Sequence, residues 1–183
     1  MSPTVGRDTP PAKISGVLNA RAGDTFETFA LSKNPGMLKA LEQCQRVGRG
    51  EARSALLAGP PGTGKTHLAV AAMNEYGMQR SYFWKVPDFL EWLRVTSYGE
   101  KVGVIRALKS YVEQDFLLVL DDLGVQKDTD WVDEQLYRVL DARCDGGLPT
   151  IITTNQPANR IDDRLLSRYA SGLVVCTGKD MRR

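Results

Sequence analysis

Residues 54–66 read Ser-Ala-Leu-Leu-Ala-Gly-Pro-Pro-Gly-Thr-Gly-Lys-Thr, a short apolar run that breaks into glycines and then enters a segment of helical composition. A buried strand, a tight loop and a helix must follow one another here. Glycine opens backbone conformations closed to other residues, and no breaker follows Lys65 until Gly77. The stretch Gly59, Pro60, Pro61, Gly62, Thr63, Gly64, Lys65, Thr66 fits the pattern GxxxxGK[ST]. At such a junction the N–H groups of the helix N-terminus and the helix dipole both attract anions. Lys65 is placed to reach the β- and γ-phosphates of a nucleoside triphosphate, and the Thr66 hydroxyl to bind Mg²⁺. His67, the single histidine, is counted with this ATP-binding loop in a packing or hydrogen-bonding role, not a catalytic one.

The rest of the chain alternates in the same way. Residues 35–47 form a helix before the core, on the spacing of Met37, Leu38, Leu41 and Cys44. Strands are predicted at 81–86, 116–120, 150–153 and 173–176. Helices are predicted at 65–76, from Pro87, at 101–113, at 131–143 and at 160–169. Strands alternating with helices imply an α/β fold: a parallel five-stranded sheet with helices on both faces. Residues 1–24 read as a flexible arm and 25–183 as the core.

The run Leu117-Leu118-Val119-Leu120 leads into Asp121 and Asp122. On a central parallel strand this carries two acids to the carboxyl edge of the sheet, where the glycine loop also lies. Asp121 is the candidate to hold Mg²⁺ beside Thr66, and Asp122 to orient or deprotonate the attacking water. A turn-forming acid pair is the plainer alternative.

Composition excludes more than it assigns. A net charge of +2 demands no nucleic acid globally, so any DNA contact must come from a local patch. The three cysteines, Cys44, Cys144 and Cys176, lie far apart and suit buried, reduced thiols in a cytoplasmic protein. No apolar run approaches the length of about 20 residues that a membrane span requires.

In their order, the 56–69 run, Leu118-Val119-Leu120-Asp121-Asp122-Leu123-Gly124, Pro149-Thr150-Ile151-Ile152-Thr153-Thr154-Asn155 and Arg164-Leu165-Leu166-Ser167-Arg168-Tyr169 resemble AAA+ ATPases of the DnaC/IstB type. These are helicase loaders and transposase helper proteins, with the initiator DnaA as a cousin. Gly178-Lys179-Asp180-Met181-Arg182 is similar to the tail of loader-type cores. The resemblance implies ATP and Mg²⁺ as ligands and slow, oligomer-dependent hydrolysis to ADP and phosphate. It implies Asn155 as the sensor-1 residue at the γ-phosphate, against a plain turn-former. It implies Arg168 as an arginine finger acting in trans on a neighbouring copy, against a surface arginine at a helix end. Arg164 is a further phosphate contact or an ion-pair partner of Asp162 or Asp163, and Phe29 and Asn34 match the segment lining the adenine pocket. Three features depart from the family. Asp122 stands where most AAA+ proteins carry glutamate. The chain ends at Arg183 without the usual helical lid, leaving Arg182 as a substitute lid arginine or a tail residue in solvent. Only a short arm precedes the core.

In that family the region corresponding to 87–112 approaches single-stranded DNA. Here it carries Arg94, Lys101, Arg106 and Lys109 beside Trp92 and Tyr98, a pattern that suits sequence-tolerant backbone contact or an ordinary solvated helix face. The functions that follow are a DnaC-like helicase loader binding a replicative helicase and single-stranded DNA, a transposase helper, or an ATP-gated scaffold. A small-molecule kinase would need an arginine-rich lid segment, and none follows the acidic strand.

Overall fold

A computed structural model describes residues 21–96, 109, 111–124 and 130–182, with backbone alone for 96 and 130–133. Five strands, β1 (Ser54–Ala58), β2 (Ser81–Lys85), β3 (Leu117–Leu123), β4 (Thr150–Thr154) and β5 (Leu173–Val175), form one sheet in the order β2-β3-β4-β1-β5. Every pairing is parallel. All five carboxyl ends therefore meet at one edge, the edge to which the glycine loop and the two acids also belong.

Both faces of the sheet are buried, which is why the middles of its strands are apolar on both sides of the pleat. Side chains alternate across the pleat. Ala55, Leu57, Phe83, Leu117, Val119 and Ile151 pack under α1 (Leu38–Gly48) and α2 (Lys65–Tyr76). Leu56, Trp84, Leu118, Leu120 and Ile152 pack on the other side. There they meet α3 (Val86–Thr96), α4 (Asp130–Asp145) and α5 (Asp163–Tyr169).

Several predicted boundaries move. The helix predicted at 35–47 begins as a 3-10 turn, Pro35–Met37, before α1. Strand β2 stops at Lys85, and Val86 already belongs to α3, with Pro87 in its first turn where a missing N–H costs nothing. The single helix predicted at 160–169 is two pieces: a 3-10 turn, Ala158–Arg160, and then α5. The break has a physical cause. Asp162 is the N-cap of α5, its carboxylate accepting from the Arg164 N–H at 2.8 Å. Most of the helix predicted at 101–113 lies outside the described residues, as do residues 1–20 of the predicted arm. Arg21–Asp24 form a turn, and the Asn74 amide on α2 donates to the Asp24 carbonyl at 2.9 Å. Cys44 and Cys176 are buried and Cys144 is partly exposed, all three as free thiols. No helix among the described residues is long and apolar enough to cross a membrane.

One buried charge was not legible in the sequence. Arg143, read there as the end of an amphipathic helix, is fully buried at the amino edge of the sheet. Its guanidinium donates to the carbonyls of Tyr111 (2.6 Å), Phe116 (2.6 Å) and Pro149 (2.9 Å) and to Thr150 Oγ1 (3.0 Å), and it stacks on the Phe116 ring. Burial pushes its pKa down to about 10. No carboxylate balances it in these contacts, so the carbonyl fan carries the charge. Arg143→Met keeps the aliphatic volume but leaves buried carbonyls without donors. It should lower stability by about 3 kcal/mol or more, a fall of roughly 10 °C in melting temperature for a domain of this size, read by thermal denaturation.

Candidate nucleotide site

The loop between β1 and α2 holds Gly62 at φ 77° and Gly64 at φ 101°, a region that disfavours any side chain. Space is short as well. A Cβ at Gly62 would come within 1.8 Å of an Asp180 carboxylate oxygen, and one at Gly64 within 2.6 Å of the Phe29 ring. The two glycines are therefore fixed by backbone conformation and by crowding together.

Lys65, at the start of α2, is 5% exposed. Its ammonium donates to the carbonyls of Gly59 (2.8 Å) and Pro60 (2.7 Å) and to Asn155 Oδ1 (2.9 Å). Burial lowers its pKa, and the nearby acids oppose that shift. Asn155 follows β4, and its amide nitrogen donates to Asp122 Oδ1 at 3.2 Å. One amide thus bridges the lysine of the loop and the second acid of β3.

The first acid is held differently. Asp121 is 2% exposed and accepts from Thr66 Oγ1 (2.9 Å) and Thr153 Oγ1 (2.6 Å). Burial raises its carboxyl pKa, only partly offset by these hydroxyls. Thr66 and Asp121 form a hydroxyl–carboxylate pair of hard oxygens, a donor set that fits Mg²⁺, which keeps several waters and takes few protein ligands. A divalent cation beside Asp121 would relieve the cost of its burial.

The sequence reading ended the strand at Leu120, but β3 continues to Leu123 through an irregularity between Leu120 and Leu123. In a regular strand, Asp121 and Asp122 would point to opposite faces. Here Asp122 adopts φ 62°, and its N–H donates to Thr153 Oγ1 at 3.0 Å. The left-handed residue turns its carboxylate back, so both acids line the same cavity. Aspartate tolerates this conformation better than most residues. Thr153, which the sequence reading passed over, thus grips both acids; its place just before Thr154-Asn155 on a buried strand was the available signal.

The cavity measures about 440 Å³. Beyond the loop, the acids and Asn155, it is walled by Arg21, Thr28, Phe29, Ala30, His67, Lys85, Met181 and Arg182. His67 plays the packing role expected of it. Its Nε2 lies 2.8 Å from the Thr25 carbonyl, and its ring meets Phe29 edge to face. Asn34 is buried beneath the loop and does not line the cavity. Its amide donates to Thr63 O and Lys179 O and accepts from Lys179 N–H, clipping the chain's last segment to the loop. Met181 N–H donates to Gly62 O at 2.9 Å. Arg182, left open by the sequence, stands in the cavity wall, its guanidinium Nε 3.2 Å from Asp180 Oδ1.

The two arginines of α5 are not brought to this cavity. Arg164 pairs with Asp162, lies over the Tyr137 ring and lines a separate groove. Arg168 is 39% exposed and pairs with Asp141 and Asp145 of α4 at 2.7 Å each. Of the candidate DNA contacts, Arg94 lies 3.9 Å from Glu91 and Lys109 3.8 Å from Glu113, while Lys101 and Arg106 lie outside the described residues. Trp92 is partly buried and packs against Trp84, Phe89 and Tyr111.

The family described as IstB-like ATP binding protein matches residues 19–168. A putative ATP-binding protein in an insertion sequence of Mycobacterium tuberculosis is 30% identical over 141 residues, 74% of this chain and 54% of that protein. The replicative helicase loader DnaC of Escherichia coli K12 is 25% identical over 167 residues, 86% of this chain and 67% of that protein. A crystal structure of the DnaC helicase loader superimposes with a TM-score of 0.71 at 26% identity, covering 87% of this chain and 99% of that one. The chain spans little more than half the length of the insertion-sequence relative.

The raised carboxyl pKa of Asp121 has a definite sign. The folded form holds its proton more tightly than the unfolded chain, so ionised Asp121 costs stability once pH exceeds the folded value, and the cost disappears below the ordinary 3.8. Asp121→Asn should therefore raise the melting temperature of protein without added ligand, by roughly 3 °C for each 1 kcal/mol recovered. The same variant should lose the further rise that Mg²⁺ adds on top of ATP. Melts with and without each ligand separate the two effects.

Proposed function

The chain belongs to the IstB-like ATP-binding family of AAA+ ATPases, the group of the DnaC helicase loaders, and from that premise we propose that it binds ATP with Mg²⁺ at the 59–66 loop and hydrolyses it slowly as a homo-oligomer. The observation that carries the reading is the Asn155 amide, bonded to Lys65 at 2.9 Å and to Asp122 at 3.2 Å. The residue that polarises phosphate, the residue that takes a proton from water and the residue that senses the γ-phosphate form one connected unit. Thr66 and Asp121 would hold the Mg²⁺, which supplies charge neutralisation at the phosphates. Lys65 exchanges carbonyl oxygens for phosphate oxygens, Asp122 accepts the proton of the attacking water, and Asn155 orients that water. Arg168, away from its own chain's cavity and exposed on α5, acts in trans on the nucleotide of a neighbouring copy.

The task we propose for this ATPase is helicase loading, with single-stranded DNA contacted through the basic residues Arg94, Lys101, Arg106 and Lys109. Such contacts are sequence-tolerant and weaken with salt. The similarity to the DnaC helicase loader structure, over 87% of this chain, supports this reading. A transposase helper is the second reading, favoured by the insertion-sequence relatives at 30% and 33% identity. Capture by a purified replicative helicase or by a transposase, with ATP present, separates them.

The trans arrangement has a specific consequence. Lys65→Ala and Arg168→Ala should each lower turnover by about a thousandfold, while Arg168→Ala keeps its affinity for ATP. An equal mixture of the two should regain turnover, since a mixed junction contains an intact loop facing an intact finger. A mixture no more active than its parts, or wild-type turnover per subunit that does not change on dilution, would count against oligomeric catalysis. Asp122→Asn should bind ATP and fail to release phosphate; unchanged turnover would favour the scaffold instead.

A further inference from the structure

The cavity wall contains a cation that no motif announces. Arg21 lies more than thirty residues before β1 in sequence, yet it lines the same cavity as Lys65, Asp121 and Asp122. It arrives on a built turn. Asp24 N–H donates to Arg21 O at 2.9 Å, and the Asp24 carbonyl accepts from Asn74 of α2. Asp24 Oδ1 lies 3.5 Å from His67 Nδ1, and the Thr25 carbonyl 2.8 Å from His67 Nε2. The turn is thus stapled to α2 at the residue immediately after Thr66.

The guanidinium is held by little. Among the described residues it makes one hydrogen bond, from Nη1 to Asp24 Oδ2 at 3.1 Å, and it is 41% exposed. A guanidinium carries five N–H donors in a planar fork, so most of its donor capacity remains for a ligand. Its charge also reaches Asp121, whose carboxyl it helps to pull down. It therefore lies within electrostatic range of the acids and is not confined to the Phe29 end of the cavity.

Resting on the nucleotide reading above, we propose that Arg21 is a phosphate ligand supplied in cis, parked on Asp24 and handed over to the polyphosphate when nucleotide binds. A polyphosphate offers more negative charge than a single carboxylate and an oxygen spacing that the fork matches with two parallel bonds. Once released, Asp24 faces His67 Nδ1 at 3.5 Å, which balances its charge only in the imidazolium form, because Nε2 already donates to the Thr25 carbonyl.

The test measures binding, not turnover. Affinities of the full chain for Mg-ATP and for magnesium tripolyphosphate, which has no base, are compared across variants by calorimetry or competition. Arg21→Ala should weaken both by about tenfold or more, the loss typical of a hydrogen bond to a charged group. Arg21→Lys should lie between, since it keeps the charge and loses the fork. Asp24→Asn, which removes the competing carboxylate, should tighten both. Melts without ligand verify that each variant folds, and Arg21→Lys serves if Arg21→Ala does not. If Arg21→Ala weakens ATP but not tripolyphosphate, Arg21 only shapes the base side and the proposal is overturned. If it weakens neither, or if Asp24→Asn weakens both, the hand-over is overturned. Wild-type protein without Mg-ATP affinity would sink the nucleotide reading itself, whereas wild-type binding with an indifferent Arg21→Ala sinks this inference alone.

Discussion

The site depends on how Asp121 and Asp122, adjacent in sequence, come to face the same cavity. A strand sends neighbours to opposite faces, and β3 is otherwise a regular strand buried on both sides. The conflict is resolved at one residue. Asp122 takes φ 62°, the register with β4 shifts, and Thr153 bonds the Asp122 N–H and the Asp121 carboxylate with one hydroxyl. The left-handed conformation costs an L-residue about 1–2 kcal/mol. The surrounding hydrogen bonds and the parallel pairing on either side hold it in place. Without that turn Asp122 would face the α3–α4 side, away from Lys65 and Asn155.

The fold was legible because its signals are redundant. Most strands are short apolar runs bounded by glycine, proline or charge, and all five fall where the sequence placed them, within three residues at each end. The loop was legible because its glycines, lysine and threonine must occur at fixed spacing. What the sequence could not show were contacts between residues far apart in the chain. Thr153 with the acids, Asn34 with Lys179 and Arg143 with Tyr111 are ordinary residue types whose roles exist only once the sheet is assembled. The helix predicted through 160–169 failed for a local reason: Asp162 offered a cap that competed with helical continuation.

The two ends of the sheet divide the work. At the amino edge Arg143 gathers the Pro149 carbonyl just before β4, the Phe116 carbonyl just before β3 and that of the helical residue Tyr111, and bonds the Thr150 hydroxyl, tying together the starts of the two strands. At the carboxyl edge the same two strands supply Asp121, Asp122, Thr153 and Asn155. Strain at the carboxyl edge is tolerated because the strands that carry it are anchored at the other end by a buried charge that has no other place to go.

Lys65, Asp121, Asp122 and Arg21 at the site already have partners within the protein: Lys65 the loop carbonyls and Asn155, Asp121 two hydroxyls, Asp122 the Asn155 amide and Arg21 its Asp24; Arg168, away from the cavity, has its own acids on α4. A nucleotide entering such a site exchanges partners; it does not simply acquire them. The affinity it gains is the difference between new bonds and old ones, which keeps binding moderate. The same exchange is what couples the site to its surroundings. Lys65 cannot turn to phosphate without loosening Asn155, and Asn155 cannot move without releasing Asp122. In the trans role proposed for it, Arg168 would have to leave Asp141 and Asp145. In the proposed reaction, binding at Lys65 and proton acceptance at Asp122 would be linked through their shared partner Asn155.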